Sequence, residues 1–398
     1  MRPVYLDNNA TTRTDPEVVA AMLPYFSDEF GNASSTHAFG ANVAEAVKGA
    51  RKGLAALLGA AFDHEVVFTS GGTESDNAAL LSALDAMEAE GRSEIVTTQV
   101  EHQAILAPAA HLQKTRGVKV HYVGVDAAGR LDLDAYRAAL GPRTALVSVM
   151  WANNETGTLF PVAMLADMAK AAGALFHTDA VQAVGKVPMD VKATAIDMLS
   201  LSGHKLHGPK GIGALYVRKG VKFKPLIRGG HQERGRRGGT ENVPAIVGLG
   251  KAAELALAHL SDEGTRVRGL RDRLEQGLLQ RIEGCRVNGD GENRLPNTAN
   301  LAFDYLDGEA VLNRLDRAGI AASTGSACTS GSTEPSHVLK AMNLPAKALH
   351  GALRLSLSRE NAGADVDLVL EALPGIVAAL REMSPAWQAR QPEPAAHG

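Results

Sequence analysis

The strongest constraint on the fold is an alternation of short β-rich runs with Ala/Leu-rich helical segments between about residues 50 and 250. This alternation predicts an α/β domain with a mainly parallel sheet and crossover helices. We therefore expect a large domain built on a mainly parallel seven-stranded sheet flanked by helices. The strand-like runs are 65–70, 94–99, 118–125, 144–151, 174–180, 197–202 and 213–218.

The remainder of the chain predicts a second, smaller α+β domain. A long helical pattern over about 248–283 is expected to break near Gly264, and strand-like and helix-like segments alternate after it. These segments are 297–303, 308–319, 352–358 and 364–382. We assign 15–258 to the large domain, and 1–14 with 259–383 to the small one. The Pro-rich polar tail 384–398 is predicted to be disordered.

Composition excludes several classes of protein. The net charge of −3 gives no general attraction to nucleic acid or to anionic membranes. The two cysteines cannot form a disulfide framework or a four-thiolate metal site, and they fit a reducing compartment. Because the N-terminus also lacks a signal pattern and no apolar stretch reaches transmembrane length, we expect a cytoplasmic protein with no membrane or nucleic-acid partner.

Polar residues directly follow several of the predicted strands, where ligands bind in parallel sheets. Gly72 and Thr73 come after the first run and open a helix, whose N-terminal N–H groups suit a phosphate. Taken alone, an ordinary strand-to-helix turn with Thr73 as cap explains this stretch as well.

Lys205 and Asp179 follow two further runs, and His102 follows a third. A lysine that can form an imine and a carboxylate that can pair with a pyridinium nitrogen are what pyridoxal phosphate requires. Each residue alone fits a solvated or core position, but together with the Thr73 turn they favour a pyridoxal phosphate site. Arg354 in a later strand is either an edge charge or a group that holds a substrate carboxylate. No P-loop or zinc-protease motif is present, and the Gly/Arg-rich stretch 228–239 lacks the interleaved aromatics of a nucleic-acid site.

These residues lie in motifs that resemble those of the NifS-type cysteine desulfurases, which are class V, fold-type I pyridoxal phosphate enzymes. The resemblance covers almost the whole chain. It is carried, in order, by "FGNASSTHAFG", "FTSGGTESDNAA", "MWANNETGTLFPV", "FHTDAVQAVGK", "LSLSGHKLHGPKGIGALYVR", "RGGHQERGRRGGTENVP" and "STGSACTSGSTEPSHVL".

The resemblance implies a role for each matched residue. Lys205 would carry the cofactor, Asp179 would pair with its ring nitrogen, and His102 would stack on the ring and act as acid and base. The phosphate would be held by Gly72, Thr73, Ser202, His204 and, from a second subunit, Thr240. Gln182 would bond the ring hydroxyl, Asn154 would contact cofactor and substrate, and Arg354 would hold the substrate carboxylate.

Cys328 is expected to be the nucleophile that removes sulfur from L-cysteine as a persulfide, leaving L-alanine. Glycine and serine around Cys328 would give its loop the freedom to attack in the pocket and then deliver the sulfur outside it. The resemblance implies a homodimer, no intrinsic metal, and a NifU- or IscU-like scaffold as acceptor, with transient ligation of an iron–sulfur cluster by Cys328 left open. A nitrogenase-linked NifS role is the leading interpretation, and a housekeeping IscS-type desulfurase or a selenocysteine lyase-like class V enzyme remains an alternative. Cys285 is expected to be a structural thiol.

Overall fold

The computed structural model of this protein describes residues 3–325 and 335–390. Its central feature is a seven-stranded sheet with the strand order β2-β8-β7-β6-β5-β3-β4. A three-stranded sheet, β12-β10-β9, and a two-stranded pair, β1-β11, lie outside it. In chain order the strands are β1 (Val4–Tyr5), β2 (Val66–Thr69), β3 (Glu94–Thr98), β4 (Lys119–Val123), β5 (Thr144–Ser148), β6 (Leu175–Asp179), β7 (Met198–Ser202), β8 (Gly213–Val217), β9 (Cys285–Val287), β10 (Thr298–Phe303), β11 (Ile320–Ala321) and β12 (Ala352–Ser356).

Helices cover the sheets and connect their strands. In chain order they are α1 (Pro16–Met22), α2 (Ala38–Leu58), α3 (Gly72–Met87), α4 (Gln103–Arg116), α5 (Leu133–Ala139), α6 (Val162–Ala171), α7 (Val243–Asp262), α8 (Arg268–Arg281), α9 (Gly308–Arg317), α10 (His337–Ala341), α11 (Ala346–Leu349), α12 (Gly363–Glu382) and α13 (Pro385–Gln388).

The predicted α/β class and mainly parallel seven-stranded sheet are confirmed. Only β8 runs against its neighbours, pairing antiparallel with both β2 and β7. The remaining strands of this sheet all point the same way, so the ends of β2, β3, β5, β6 and β7 meet at one edge. Strands such as β3, β5 and β7 are buried along their whole length, because helices cover both faces of the sheet.

The long helical segment begins earlier than the sequence pattern predicts. It starts at Val243, after Asn242 caps its first turn, and it runs to Arg281 through a π-helical turn at Glu263–Val267. This π-turn contains Gly264, where the break was expected. By length and composition Val243–Arg281 could cross a membrane, but half of its most apolar stretch is buried within this fold.

A separate hydrophobic cluster underlies the C-terminal sheet. It includes Val4 and Leu6 from the N-terminus together with side chains of α8, α9 and α12. This grouping suits the proposed division into 15–258 and a small domain of 1–14 with 259–383. The expected disorder of the tail does not hold for 384–390, because Ser384 caps the helical turn α13 and Trp387 lies between Arg381 and Arg390.

Candidate active site

A cavity of about 330 Å³ opens at the edge of the large sheet where the parallel strands end. That volume is in the range of small-ligand and cofactor sites. Every site residue named from the sequence, apart from Cys328 and Thr240, lines this one cavity. These residues are Gly72, Thr73, His102, Asn154, Asp179, Gln182, Ser202, His204, Lys205 and Arg354.

One end of the cavity is formed by the start of α3. Gly71 precedes the helix with φ of 154°, a backbone conformation that side chains rarely adopt, and α3 begins without a side-chain cap. A Cβ on Gly72 would lie 2.7 Å from Val181 Cγ2 and 3.7 Å from Ser202 Cβ, so only glycine fits there. The helix N–H groups, the Thr73 and Ser202 hydroxyls and His204 therefore offer donors for a phosphate.

His204 joins this end from the turn after β7. Its Nδ1 lies 3.1 Å from Thr11 Oγ1. The pKa of His204 is lowered to about 4, mainly by burial and in addition by the positive charges of Lys205 and Lys210. The imidazole is therefore neutral at physiological pH and can serve as a hydrogen-bond donor without adding charge.

Lys205 is held at the cavity by backbone carbonyls of the N-terminal segment. Its Nζ donates to Ala10 O at 2.8 Å and also to Asn9 O. Both acceptors are backbone carbonyls, so these two contacts place the amine at the cavity without a side chain of the N-terminal segment. The N-terminal segment thus supplies part of the site, which the sequence analysis did not assign.

Asp179 ends β6 and is 6% exposed. Burial raises its pKa, and the positive charges of His102 and Lys205 oppose that rise. One of its oxygens accepts from Val181 N at 2.9 Å, which fixes the carboxyl in the cavity wall. A cationic ring nitrogen is the kind of ligand that such a carboxyl would stabilise.

Asp76 lines the cavity beside Asp179 and was not named from the sequence. Burial raises its pKa well above the ordinary range, and the negative charge of Asp179 adds to the rise. Asp76 Oδ1 lies 3.6 Å from His177 Nε2, but burial lowers the pKa of His177 to about 3, so the imidazole carries no charge with which Asp76 could pair. The two carboxyl groups therefore share one wall of the cavity, and burial opposes the ionisation of both.

His102 caps α4, and this contact fixes the orientation of its ring. His102 Nδ1 accepts from Ala104 N at 3.1 Å. A ring whose Nδ1 accepts a hydrogen bond carries its proton on Nε2 when neutral. The neutral His102 ring therefore presents an Nε2–H donor on the side of the ring away from Ala104.

Arg354 reaches the cavity from β12 in the C-terminal sheet and is 2% exposed. Nη2 donates to Asp7 Oδ1 at 2.7 Å and Nη1 donates to Asn154 O at 2.9 Å. Among residues 3–325 and 335–390, Arg354 Nε has no hydrogen-bond partner. The Nε–H is thus buried and unpaired within the described part of the protein, while Arg354 as a residue lines the cavity, where a guanidinium can bind a carboxylate.

Two residues of the sequence interpretation, Thr240 and Cys285, lie outside the cavity wall. Cys328 falls outside the described residues. Thr240 is exposed and is not part of the cavity wall of its own chain. Burial raises the pKa of Cys285 to about 12, which makes it a poor nucleophile, as the interpretation of a structural thiol requires.

These residues fit pyridoxal phosphate. The cavity combines an uncapped helix start for the phosphate, an amine for the imine, a buried carboxyl for the ring nitrogen and a histidine at the side. Gln182 would bond the ring hydroxyl, and Asn154 would contact the ring and the substrate.

Comparison with known proteins agrees with this chemistry. Residues 4–369 match the family model described as aminotransferase class-V. A cysteine desulfurase of Gluconacetobacter diazotrophicus is 69% identical over 387 residues, which cover 97% of this chain and 96% of the relative. Cysteine desulfurase NifS of Azotobacter vinelandii is 57% identical over 392 residues, covering 98% of this chain and 97% of the relative.

Solved structures show the same fold. One described as a NifS-like protein superposes with a TM-score of 0.88 at 38% identity, covering 95% of this chain and 100% of the other. The similarity of this chain to that structure, and the near-complete coverage of the relatives, agree with the sequence motifs and with the arrangement of the cavity. The chain therefore belongs to the aminotransferase class-V family, as a pyridoxal-phosphate-dependent enzyme of the cysteine desulfurase group.

Proposed function

We propose that this enzyme moves the sulfur of L-cysteine onto Cys328 and releases L-alanine. One observation carries the proposal. Residues that were named from separate parts of the sequence, at the strand ends of the large sheet and in β12 of the C-terminal sheet, line one cavity. In the transfer, the Cys328 thiolate attacks the substrate sulfur. The bond from sulfur to the substrate carbon breaks, the bond between the two sulfurs forms, and the carbon gains a proton in place of the sulfur.

Pyridoxal phosphate, when bound, supplies an electron sink next to the substrate amine. Lys205 would carry the cofactor and would move the proton from the substrate α-carbon. Asp179 would hold the ring nitrogen in its cationic form, and His102, which lines the cavity, would serve as acid and base beside the ring. Gly72, Thr73, Ser202 and His204 anchor the phosphate, which keeps the reacting atoms in place.

Substrate binding falls to Arg354 and Asn154. Two guanidinium nitrogens of Arg354 are occupied by Asp7 and by the Asn154 carbonyl, so its orientation is fixed before substrate arrives. Arg354, which lines the cavity beside Asn154, is the residue that we assign to the substrate carboxylate. Such a fixed donor reduces the entropy lost on binding.

The persulfide is proposed to serve iron–sulfur cluster assembly for nitrogenase, through a NifU- or IscU-like scaffold. The support is the NifS name of the Azotobacter relative and the Arg-rich stretch of residues 228–239. We further propose that the enzyme is a cytoplasmic homodimer in which Thr240 of each subunit contributes to the active site of the other. A general IscS-type role in the cell uses the same active-site chemistry and is the second candidate.

The decisive experiment measures alanine released from L-cysteine by wild type and by Cys328→Ala under anaerobic reducing conditions. We expect the variant to lose alanine formation while its cofactor absorption stays unchanged. Cys285→Ala is a matched control, since it removes the other thiol of the chain and is expected to keep wild-type turnover. Equal alanine formation by Cys328→Ala would mean that the thiol is dispensable and would favour a selenocysteine lyase-like enzyme.

A further inference from the structure

Lys186 is a buried lysine that has no part in the reaction proposed above. Its side chain is 8% exposed, and it lies one helical turn after Gln182 in the segment that follows β6. Its Nζ donates to Gln182 Oε1 at 3.2 Å and lies 3.5 Å from Asn9 Oδ1. Burying a lysine is unfavourable unless its donors are used, so these two contacts account for its position.

Lys186 and the Asn9 carbonyl together fix which way the Gln182 amide faces. A lysine ammonium has donors and no acceptor, so it can only contact the oxygen end of the amide. The nitrogen end must then turn the other way, and Gln182 Nε2 donates to Asn9 O at 2.9 Å. An amide nitrogen carries two N–H groups, so one remains for the cavity that Gln182 lines.

Asn9 connects this arrangement to Lys205. The Asn9 carbonyl accepts from both Gln182 Nε2 and Lys205 Nζ. The Asn9 side chain is itself fixed, because its Oδ1 accepts from Asn297 Nδ2 at 3.0 Å and its Nδ2 donates to Thr298 Oγ1 at 2.9 Å. Lys186 therefore lies between the fixed Asn9 side chain and the Gln182 amide.

Glu263 supplies the opposing charge. It is 7% exposed, begins the π-helical turn of the long helix, and lines with Lys186 a small cavity of about 20 Å³. Burial lowers the pKa of Lys186 to about 8 and raises that of Glu263 to about 7, and the charge of each favours ionisation of the other. Because π-turns are frequent at functional sites, the placement of this acid behind the cavity suits a supporting role.

We propose that Lys186 is a positioning residue that occupies the oxygen end of the Gln182 amide and so presents the amide N–H to the ring oxygen of pyridoxal phosphate. Without Lys186, the Gln182 amide could turn its oxygen toward the ring oxygen. Repulsion between two oxygens would then replace a hydrogen bond. The inference rests on the proposed function and extends it to a residue that contacts Gln182 and not the cofactor.

The test is a double-mutant cycle on the full-length holoenzyme with Lys186→Met, Gln182→Ala and the double variant. Two quantities are measured for each: the dissociation constant of pyridoxal phosphate by equilibrium dialysis, and the visible absorption band of the bound cofactor. We expect Lys186→Met to weaken cofactor binding about fivefold to tenfold and to shift the band, as loss of about one hydrogen bond would. In the Gln182→Ala background the same change should have less than about a twofold effect, because the two residues act as one unit.

Lys192→Met is the matched control, since it makes the same chemical change at an exposed lysine six positions away and should leave both quantities unchanged. If Lys186→Met fails to fold because Glu263 loses its counter-charge, Lys186→Met with Glu263→Gln removes the buried pair and carries the same expectation.

Equal weakening by Lys186→Met with and without the Gln182→Ala substitution, or an unshifted band, would overturn the positioning role. A wild type that binds no pyridoxal phosphate would instead reject the proposed function itself, so the two failures are distinguishable.

Discussion

The ionisation of Glu101, close to the active site, is strongly altered by its surroundings. It is fully buried, its Oε1 accepts from Thr98 Oγ1 at 2.8 Å and from Met150 N at 3.0 Å, and Oε2 has no hydrogen-bond partner among the described residues. Burial raises the pKa of Glu101 to about 8, and the negative charge of Asp179 adds to the rise. The folded protein therefore keeps a proton on Glu101 at neutral pH that the unfolded chain has lost.

This proton makes the stability depend on pH in a definite direction. Between about pH 4.5 and about pH 8 the folded state binds more protons at Glu101 than the unfolded state does, so its contribution to the free energy of unfolding falls as pH rises. Glu101→Gln removes the titration and keeps an oxygen for Thr98 and Met150. We expect the stability of the variant relative to wild type to increase by up to roughly 4 kcal/mol between about pH 5 and about pH 8.5.

Chemical unfolding of both proteins at the two pH values measures this change. Glu45→Gln provides the control, because Glu45 lies on the surface beside Lys48 and its replacement should give a difference that hardly varies with pH. A Glu101→Gln difference that is the same at both pH values would show that Glu101 is ionised in the folded protein.

At the scale of secondary structure elements, strand ends were the part of the site that the sequence could predict. Alternating β-rich and helical segments identify parallel strands, and polar residues after such strands must gather at one edge, as Asp179, Ser202 and His102 do. Each of the seven predicted runs overlaps a strand of the large sheet. The resemblance to a known family added the assignment of roles.

Residues brought in by distant parts of the chain could not be found in this way. Asn9 meets Lys205 and Gln182 only because the N-terminal segment crosses to the turn after β7, and no local pattern encodes that contact. Asp76 lies in the first turns of α3, where its helical position predicts burial as readily as contact with the cavity. A strand is recognised from the pattern of neighbouring residues, whereas such contacts depend on how the whole chain packs.

The packing of α2 against α7 depends on one glycine, and this gives a prediction for a helix pair. A Cβ on Gly250 would lie 2.5 Å from Ala50 Cα, whereas a Cβ on Gly49, exposed on α2, meets no atom within 4 Å. We expect Gly250→Ala to lower the free energy of unfolding by about 1–3 kcal/mol, because the helices must move apart. Gly49→Ala should raise it by about 0.5–1 kcal/mol through helix propensity. Thermal unfolding of both variants distinguishes them, and equal effects would contradict the close contact.

At the scale of the whole molecule, the surface carries an apolar patch between α1 and α2. Leu23, Phe26, Phe30 and Phe39 are 60%, 66%, 68% and 56% exposed, and the rings of Phe30 and Phe39 lie 5.5 Å apart. Several large exposed apolar side chains in one stretch of the chain are typical of interaction surfaces. Together with Thr240, which is exposed and outside the cavity wall of its own chain, the patch supports the proposed homodimer.

If each active site of the dimer contains Thr240 of the other subunit, two inactive variants can restore activity by pairing. A monomer, or a dimer whose sites are each built from one chain, cannot do so. Lys205→Ala removes the cofactor lysine, and Thr240→Arg places a bulky side chain where we expect the partner's phosphate site, so each variant alone should release little alanine. In a mixed dimer from co-expression, Lys205 of one chain and Thr240 of the other complete one intact site. With random pairing about a quarter of all sites are intact, so activity should return to about a quarter of wild type. If Thr240 instead serves its own chain, every mixed site carries one defect and alanine release stays at the level of the single variants.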